Sequence, residues 1–464
     1  MPPCGSWNQF SMMLSSHRDQ SQIILSFSAV ELMILMKISI IGTGYVGTVT
    51  GACFAHFGND VVCVDVDTKR VESMNNGIPP IYEEGLEELL KTHAGKNLKA
   101  TLDYDDAIGN TDISFICVPT PTDDNGKIDL RFIREASKSI GQRLKNKRSY
   151  HVVVVKSTVV PQTTQSVVTP ILEEFSGRKA GKDFGVGMNP EFLREGKAVY
   201  DFQHPDRIVI GGDDPKAQDV IKSLYAGYTC PILMVDTKTA EMIKYVSNSF
   251  LATKISFSNE VGNICKRLGI DTYKVMEGVG LDARISPFFL NSGLGFGGSC
   301  FPKDVKALIG KASEMNYEPI LLKTVLKVND DQPAMLLALL KKHVPDIKNK
   351  RIAVLGLAFK NDTDDIRESR AIPLIGSLLA EGATVAAYDP MAAEHMKRVF
   401  PGIEYDKTAD EALKDADACI IATEWPEFKN LNGQFNGMKK RIVIDGRKMV
   451  DPAGKNIIYE GLCW

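Results

Sequence analysis

A cysteine heads a helix-forming stretch in the segment Phe296-Gly-Gly-Ser-Cys300-Phe-Pro-Lys-Asp304. Three glycines, Gly295, Gly297 and Gly298, lead up to it, so the backbone there can take φ > 0 and come close to a ligand. Pro302 suits a first helical turn, and Asp304 favours the same turn electrostatically. Cys300 is therefore expected to feel unpaired backbone N–H groups, the positive end of a helix dipole and the nearby charge of Lys303. Such conditions lower a thiol pKa from about 8.5 and make the sulfur a nucleophile.

A partner chemistry lies near the start of the fold. The apolar run Lys37–Ile41 leads straight into Gly42-Thr-Gly44-Tyr45-Val46-Gly47, and a small-residue helix is expected over 48–57. Gly42 permits a tight turn, Gly44 lets backbone approach a pyrophosphate, and Gly47 lets helix and strand pack closely. A second strand, Asp60–Val64, ends at Asp65. That carboxylate is placed to hold an adenosine ribose hydroxyl and to repel a 2′-phosphate, so the expected cofactor is NAD. Arg70 is the one further cofactor contact that leaves the choice open, since an arginine here can stack on adenine or pair with a phosphate.

Hydride transfer from an alcohol needs a base and no thiol. Oxidation of an aldehyde gains from one, because a thiohemiacetal loses hydride to give a thioester that water cleaves. A site with both functions turns a primary alcohol into a carboxylate using two NAD.

The elements that position these residues can be read along the 464-residue chain, which is too long for one ordinary core. Residues 36–230 alternate apolar strands with helices, the pattern of a parallel sheet covered on both faces. Ligands in such sheets bind at the carboxyl ends of strands, where Thr120, Thr158 and Glu191 fall. One long helix is expected from Thr237 to about Leu268, with apolar or small residues at Ala240, Ile243, Val246, Phe250 and Ile255. Further helix follows Pro302 and runs from Pro319 to Leu340, so residues 231–340 read as a helical central domain suited to a dimer interface. Strand and helix alternate again over 345–464, without the full glycine motif. The expected fold is α/β, two Rossmann-like parallel-sheet domains joined by a helical central domain, with NAD on the first and a nucleotide-like substrate on the second. Residues 1–35 are polar and irregular, and read as an extension outside the fold, with Met36 as the native start.

Composition narrows the partners. A net charge of −3 gives no reason to expect nucleic acid or an anionic membrane. Nine scattered cysteines, with no CxxC and no zinc spacing, fit free thiols in a reducing, cytoplasmic setting and no metal.

Taken together, the motifs resemble the UDP-glucose/UDP-mannose dehydrogenase family. The resemblance covers residues 36 to about 460. It rests on the glycine motif, Val118-Pro-Thr120-Pro-Thr122, Lys156-Ser-Thr158, Asn189-Pro-Glu191 through Gly196, Phe296 to Asp304 and Phe359 to Glu368. It implies oxidation of a UDP-sugar C6 hydroxyl to a carboxylate with two NAD and no release of aldehyde. Relatives acting on N-acetylated sugars usually carry histidine before the cysteine. Ser299 here favours UDP-glucose, with a UDP-N-acetylhexosamine as the alternative. A catalytically silent nucleotide-sugar sensor would be expected to lack Cys300, Lys244 or Asp304.

The resemblance also implies roles. Cys300 is the nucleophile and Asp304 part of the base machinery. Lys244 and Asn248 share a helix face at the sugar, the lysine stabilising an oxyanion. Glu191 activates the thioester-cleaving water, with Thr158 orienting it. Glu195 lies near the nicotinamide and Arg367 at the NAD pyrophosphate, while Val118, Thr120 and Lys303 complete the cofactor contacts. Phe192, Leu193, Phe296, Gly297, Phe359, Lys360 and Arg447 line the substrate. Arg284 reaches across a dimer interface, from a loop whose Ser286 and Pro287 depart from the usual pattern.

Overall fold

The computed structural model describes residues 35–123 and 126–464. All but the last residue of the extension assigned to 1–35 lies outside the described residues. Eight short strands form the first sheet: β1 (Lys37–Ile41), β2 (Asp60–Val64), β3 (Leu98–Thr101), β4 (Ile113–Ile116), β5 (Val152–Val155), β6 (Gly185–Met188), β7 (Ile208–Gly212) and β8 (Ile232–Val235). Their order is β3-β2-β1-β4-β5-β6-β7-β8. Valine and isoleucine dominate the central strands, which are buried on both faces beneath flanking helices.

This sheet is not wholly parallel, as the alternation suggested. Strand β7 runs antiparallel to β6, with Gly187 opposite Gly212. Between them lies only the six-residue helix Ala198–Gln203, which packs on the Tyr45–His56 helix. A parallel neighbour needs a full crossover, usually a longer helix laid over the sheet. The chain instead turns back near the strand ends, and that turn carries Glu191 and Glu195. The Tyr45–His56 helix also begins three residues earlier than expected, directly after Gly44.

The second sheet contains β9 (Arg351–Leu355), β10 (Thr384–Tyr388), β11 (Glu404–Tyr405), β12 (Ala418–Ile421), β13 (Ile442–Asp445) and β14 (Ile458–Gly461). Its order is β11-β10-β9-β12-β13-β14, parallel throughout.

Between the sheets runs a 32-residue helix, Thr237–Leu268, capped by the Asp236 side chain on the Thr239 N–H at 3.0 Å and ended by left-handed Gly269. Its buried stripe is only partly the apolar one expected: Ala240 is buried, and Ile243 and Ile255 pack against the core. Glu241, Lys244, Tyr245, Asn248, Ser249 and Asn259 face inward, whereas Val246 and Phe250 are exposed. Helices Phe301–Glu314 and Ile320–His343 pack beside it. Among the described residues no helix is long and apolar enough to cross a membrane.

Candidate active site

The glycine turn after β1 has the geometry its sequence implies. Gly42 adopts φ +97°, and a Cβ on Gly47 would stand 1.9 Å from the Gly42 carbonyl oxygen, so helix and turn touch. Open space surrounds the corresponding position on Gly44 at the helix N-terminus. At the end of β2, Asp65 Oδ2 accepts from the Thr43 N–H (2.7 Å) and hydroxyl (2.6 Å), and Oδ1 from the Asp67 N–H (3.0 Å). A carboxylate offers about four acceptor positions, so one remains. Burial alone would raise this carboxyl; those hydrogen bonds and the Arg70 charge hold it below the usual range. Arg70 sits 3.9 Å from Asp65 and 3.8 Å from Asp67.

The second sheet repeats this turn with a different outcome. Asp389, ending β10, accepts from the N–H groups of Leu357, Ala358, Met391 and Ala392 and from the Trp425 indole. Five donors saturate it, leaving no acceptor for a ribose. The duplicated fold thus keeps one dinucleotide site.

Cys300 immediately precedes the Phe301–Glu314 helix. The glycines before it serve mainly to admit the second sheet's domain. Cβ atoms on Gly297 and Gly298 would strike the Glu368 carbonyl at 2.3 Å and the Phe359 ring at 2.7 Å. The Gly298 N–H donates to Arg367 O at 2.9 Å, and buried Phe296 exchanges two hydrogen bonds with the Asn329 amide.

The thiol itself corrects the expectation of a lowered pKa. Solvent reaches Cys300, although protein closely surrounds the sulfur, as on a cleft wall. Burial pushes the thiol above its ordinary value. The Asp304 and Glu191 carboxylates push it the same way, while the Lys244 ammonium pulls it down. Nor does Lys303 serve the thiol: its ammonium lies 2.6 Å from Asp304 Oδ1.

Around Cys300 the long helix presents Lys244 and Asn248. Asn248 Nδ2 donates to Asp304 Oδ2 at 2.6 Å. Lys244 Nζ lies 2.8 Å from Glu191 Oε1, both groups buried. Burial would discharge this lysine, but the Glu191 and Asp304 carboxylates hold it cationic. Glu191 is likewise held below its ordinary value against burial, chiefly by Lys244, with the Leu193 N–H on Oε2 at 2.6 Å. It stands as the counter-ion of Lys244, a weaker base than expected. The Phe192 ring lies 5.5 Å from Lys244 Nζ and carries the Arg207 guanidinium 3.7 Å from its centroid.

The remaining expected residues divide. Thr120 donates to the Thr158 carbonyl at 2.8 Å, and the Thr158 hydroxyl has no partner among the described residues; the Val118 carbonyl accepts from Ser157. Val46 packs against the core of the first sheet. Glu191 and Glu195 point to different places, because the turn between them is not helical. Glu195 faces the second domain, accepting from Thr363 Oγ1 at 2.8 Å, and its carbonyl receives the Lys360 ammonium. Arg367 holds Asp365 through Nε and Nη2 and lies 3.9 Å from Glu195. Arg447 donates to the Ala422 and Gly295 carbonyls and pairs with Glu424 at 3.2 Å. Arg284 is exposed and, among the described residues, pairs with Asp282 rather than with the residues around Cys300.

Sequence reasoning quoted Lys156 and Asn189 only as motif letters. Buried Lys156 donates to Asn189 Oδ1 at 2.8 Å, which also accepts from Tyr225, and burial pulls this lysine down to about 8. A lysine ending an apolar strand was the available clue. Glu424 and Glu83 gave none.

Models of the UDP-glucose/GDP-mannose dehydrogenase family match three consecutive parts of the chain. The NAD binding domain matches residues 36–229, the central domain 238–331 and the UDP binding domain 353–452. The chain belongs to the UDP-glucose/GDP-mannose dehydrogenase family. The mannose nucleotide of this family is GDP, which corrects the UDP-mannose expected from the motifs. Over 432 residues the chain is 50% identical to the UDP-glucose 6-dehydrogenase AglM of Haloferax volcanii, covering 92% of this chain and all of that protein. It is 39% identical to a GDP-mannose 6-dehydrogenase of Pseudomonas savastanoi pv. phaseolicola, again over 92% of this chain and all of that one. The solved UDP-glucose dehydrogenase of Pyrobaculum islandicum superposes with TM-score 0.89 at 41% identity, covering 94% of this chain and all of that chain.

A member of this family binds NAD on its first domain, and the residues present fit it. The clear space at Gly44 and the spare acceptor on Asp65 are what a pyrophosphate and an adenosine ribose need. A 2′-phosphate against Asp65 would bring like charges together, at a cost of several kcal/mol. We expect kcat/KM with NADP at least about 100-fold below that with NAD. Comparable values in a steady-state assay would remove this role from Asp65.

Proposed function

We propose that this protein oxidises UDP-glucose at C6 to UDP-glucuronate with two NAD, without releasing the aldehyde. The observation that carries this reading is the thiol of Cys300 set among Lys244, Glu191, Asp304 and Asn248 at the junction of an NAD-binding and a UDP-binding domain. Ser299 before the thiol, in place of histidine, favours a glucose over an N-acetylated sugar.

Bound NAD supplies the hydride acceptor, once for each oxidation. Asp304, fixed by Asn248 and Lys303, takes the hydroxyl proton as hydride leaves C6. Once Asp304 has released that proton to solvent, the Cys300 sulfur adds to the aldehyde carbon and its own proton passes to Asp304. Lys244 holds the oxygen of the tetrahedral adduct. Loss of the second hydride leaves a thioester, and water oriented by Thr158 cleaves it to carboxylate and free thiol. When Lys244 turns to the oxyanion, Glu191 loses its counter-ion and becomes the stronger base that this water requires. Phe359, Lys360 and Arg447 line the UDP side. NADH yield tests the reading: two per UDP-glucose consumed is the expected result, and one would overturn it. A higher kcat/KM for GDP-mannose or UDP-N-acetylglucosamine would replace UDP-glucose as the substrate.

The free thiols among the described cysteines suit a cytoplasmic protein. The working unit is a dimer. Met242, Val246, Phe250, Phe257, Ile264 and Leu268 are all exposed and form one stripe along the long helix. A monomer rarely leaves so much contiguous apolar surface in water, and a second copy covers the stripe symmetrically. Arg284, without use in its own site, is then free to serve the neighbour's. Phe250→Asp combined with Phe257→Asp should halve the mass seen by sedimentation; an unchanged mass would discard this interface.

A further inference from the structure

Glu83 lies in the connection before the Leu86–His93 helix and takes no part in the chemistry above, yet its side chain is only 5% exposed. Three donors from two separate elements converge on it. The Tyr45 hydroxyl donates to Oε2 at 2.6 Å, the Gly196 N–H to Oε2 at 2.9 Å and the Ala198 N–H to Oε1 at 2.6 Å. Tyr45 is the first residue of the helix whose N-terminus faces the cofactor loop, and its hydroxyl also lies 3.0 Å from the Arg194 carbonyl. Gly196 and Ala198 belong to the turn that carries Glu195.

The far side of that turn is gripped by the UDP-binding domain. Lys360 donates to the Glu195 carbonyl, and Thr363 to its carboxylate at 2.8 Å. Gly196, at φ +83°, packs so closely that a Cβ would lie 2.7 Å from the Asp362 carbonyl oxygen. A continuous line of hydrogen bonds thus runs from the first turn of the cofactor helix, through Glu83, to the loop that bears Phe359 and Lys360.

We infer that Glu83 is a positioning residue that couples occupancy of the NAD loop to the set of the UDP-binding domain, by holding Tyr45 and the 194–198 turn on one carboxylate. A ligand that orders the start of the cofactor helix fixes Tyr45, hence Glu83, hence the turn that Lys360 and Thr363 grasp. Each ligand then binds more tightly in the presence of the other, and the two effects are equal. Tyr45 touches both ends of the line, so it cannot serve as the neutral probe. Glu83→Gln can. A glutamine has one acceptor oxygen, so in either amide orientation it sets an NH2 against a backbone N–H that Glu83 satisfies.

The inference rests on the UDP-glucose reading, and the test separates the two. UDP-glucose is titrated calorimetrically into the dimeric enzyme with and without saturating NADH, a pair that cannot react. In the parent protein NADH should tighten UDP-glucose about tenfold. In Glu83→Gln that factor should fall below about twofold, with the UDP-glucose affinity measured alone changed no more than about twofold. An undiminished factor in Glu83→Gln, or no coupling in the parent, overturns the inference. So does equal weakening of both binary complexes, which marks a merely structural role. Failure of UDP-glucose to bind the parent would instead refute the substrate reading. Amide exchange with NADH alone then decides: peptides covering 194–198 should gain about tenfold protection in the parent and none in Glu83→Gln. Equal protection in both proteins rejects the coupling.

Discussion

Cys300→Ala should lower UDP-glucuronate production at least about 10⁴-fold, while the protein folds and binds both ligands. The side chain is small and solvent reaches it, so its loss leaves no large cavity. Only the second oxidation needs the sulfur, because only there must a carbonyl be converted to an adduct able to lose hydride. Cys300→Ser separates the two halves: it keeps shape but offers a far weaker nucleophile, and should not oxidise added UDP-linked C6 aldehyde at a useful rate. The raised thiol adds a test with a definite sign. At neutral pH the sulfur is largely protonated, so alkylation by iodoacetamide should climb with pH and reach half its limit above about 8.5. Among the described cysteines Cys300 alone is exposed, which keeps the readout clean. Near-normal two-NADH turnover by Cys300→Ala would end the covalent mechanism; an alkylation midpoint well below 8.5 would restore the lowered thiol that a helix N-terminus alone predicts.

That thiol shows where sequence reading stops. What is local was legible. The run Lys37–Ile41, the spacing of Gly42, Gly44 and Gly47, and Asp65 closing the second strand are short-range signals, and the structure follows them. The long helix was bounded correctly because Asp236 and Gly269 cap it. The state of Cys300, by contrast, is set first by burial and then by the Asp304 and Glu191 carboxylates, the latter from far away in sequence, which together outweigh Lys244 and the helix end. The inward face of the long helix was read only in part because its stripe is mixed: Ala240, Ile243 and Ile255 turn to the core as expected, whereas Val246 and Phe250 lie on the outer face. Reversal of β7 hung on how short a helix precedes it, and the two-residue β11 pairs with so few residues that no pattern could mark it. Glu83 carried no motif at all. Its three donors come from residues 38 to 115 positions away.

Lys244→Ala should lower kcat about 10²–10³-fold, the usual consequence of removing one donor from a developing oxyanion. It should also destabilise the fold by about 3–5 kcal/mol, because Glu191 is left buried without its counter-ion. The two losses have different causes and can be separated. Glu191→Gln in the same chain removes the stranded charge, so the double variant should regain most of the stability and none of the activity. The pH dependence follows from the direction of the Glu191 shift. In the parent its carboxyl is held below the unfolded value. Its contribution to stability is therefore complete above about 4.3 and is lost as pH falls through the lower native value. In Lys244→Ala, burial, the largest influence on Glu191, is opposed only by the Leu193 N–H and the Lys156 charge and raises it, so that variant should become relatively more stable as the pH drops from neutral and the carboxyl takes up a proton. The stability gap between parent and variant should narrow in acid, as measured by urea unfolding at several pH values. A gap that is independent of pH would mean that Lys244 and Glu191 are not the coupled buried pair the structure presents. Recovery of kcat in the double variant would show that Lys244 serves only to neutralise Glu191, and the oxyanion would need another partner.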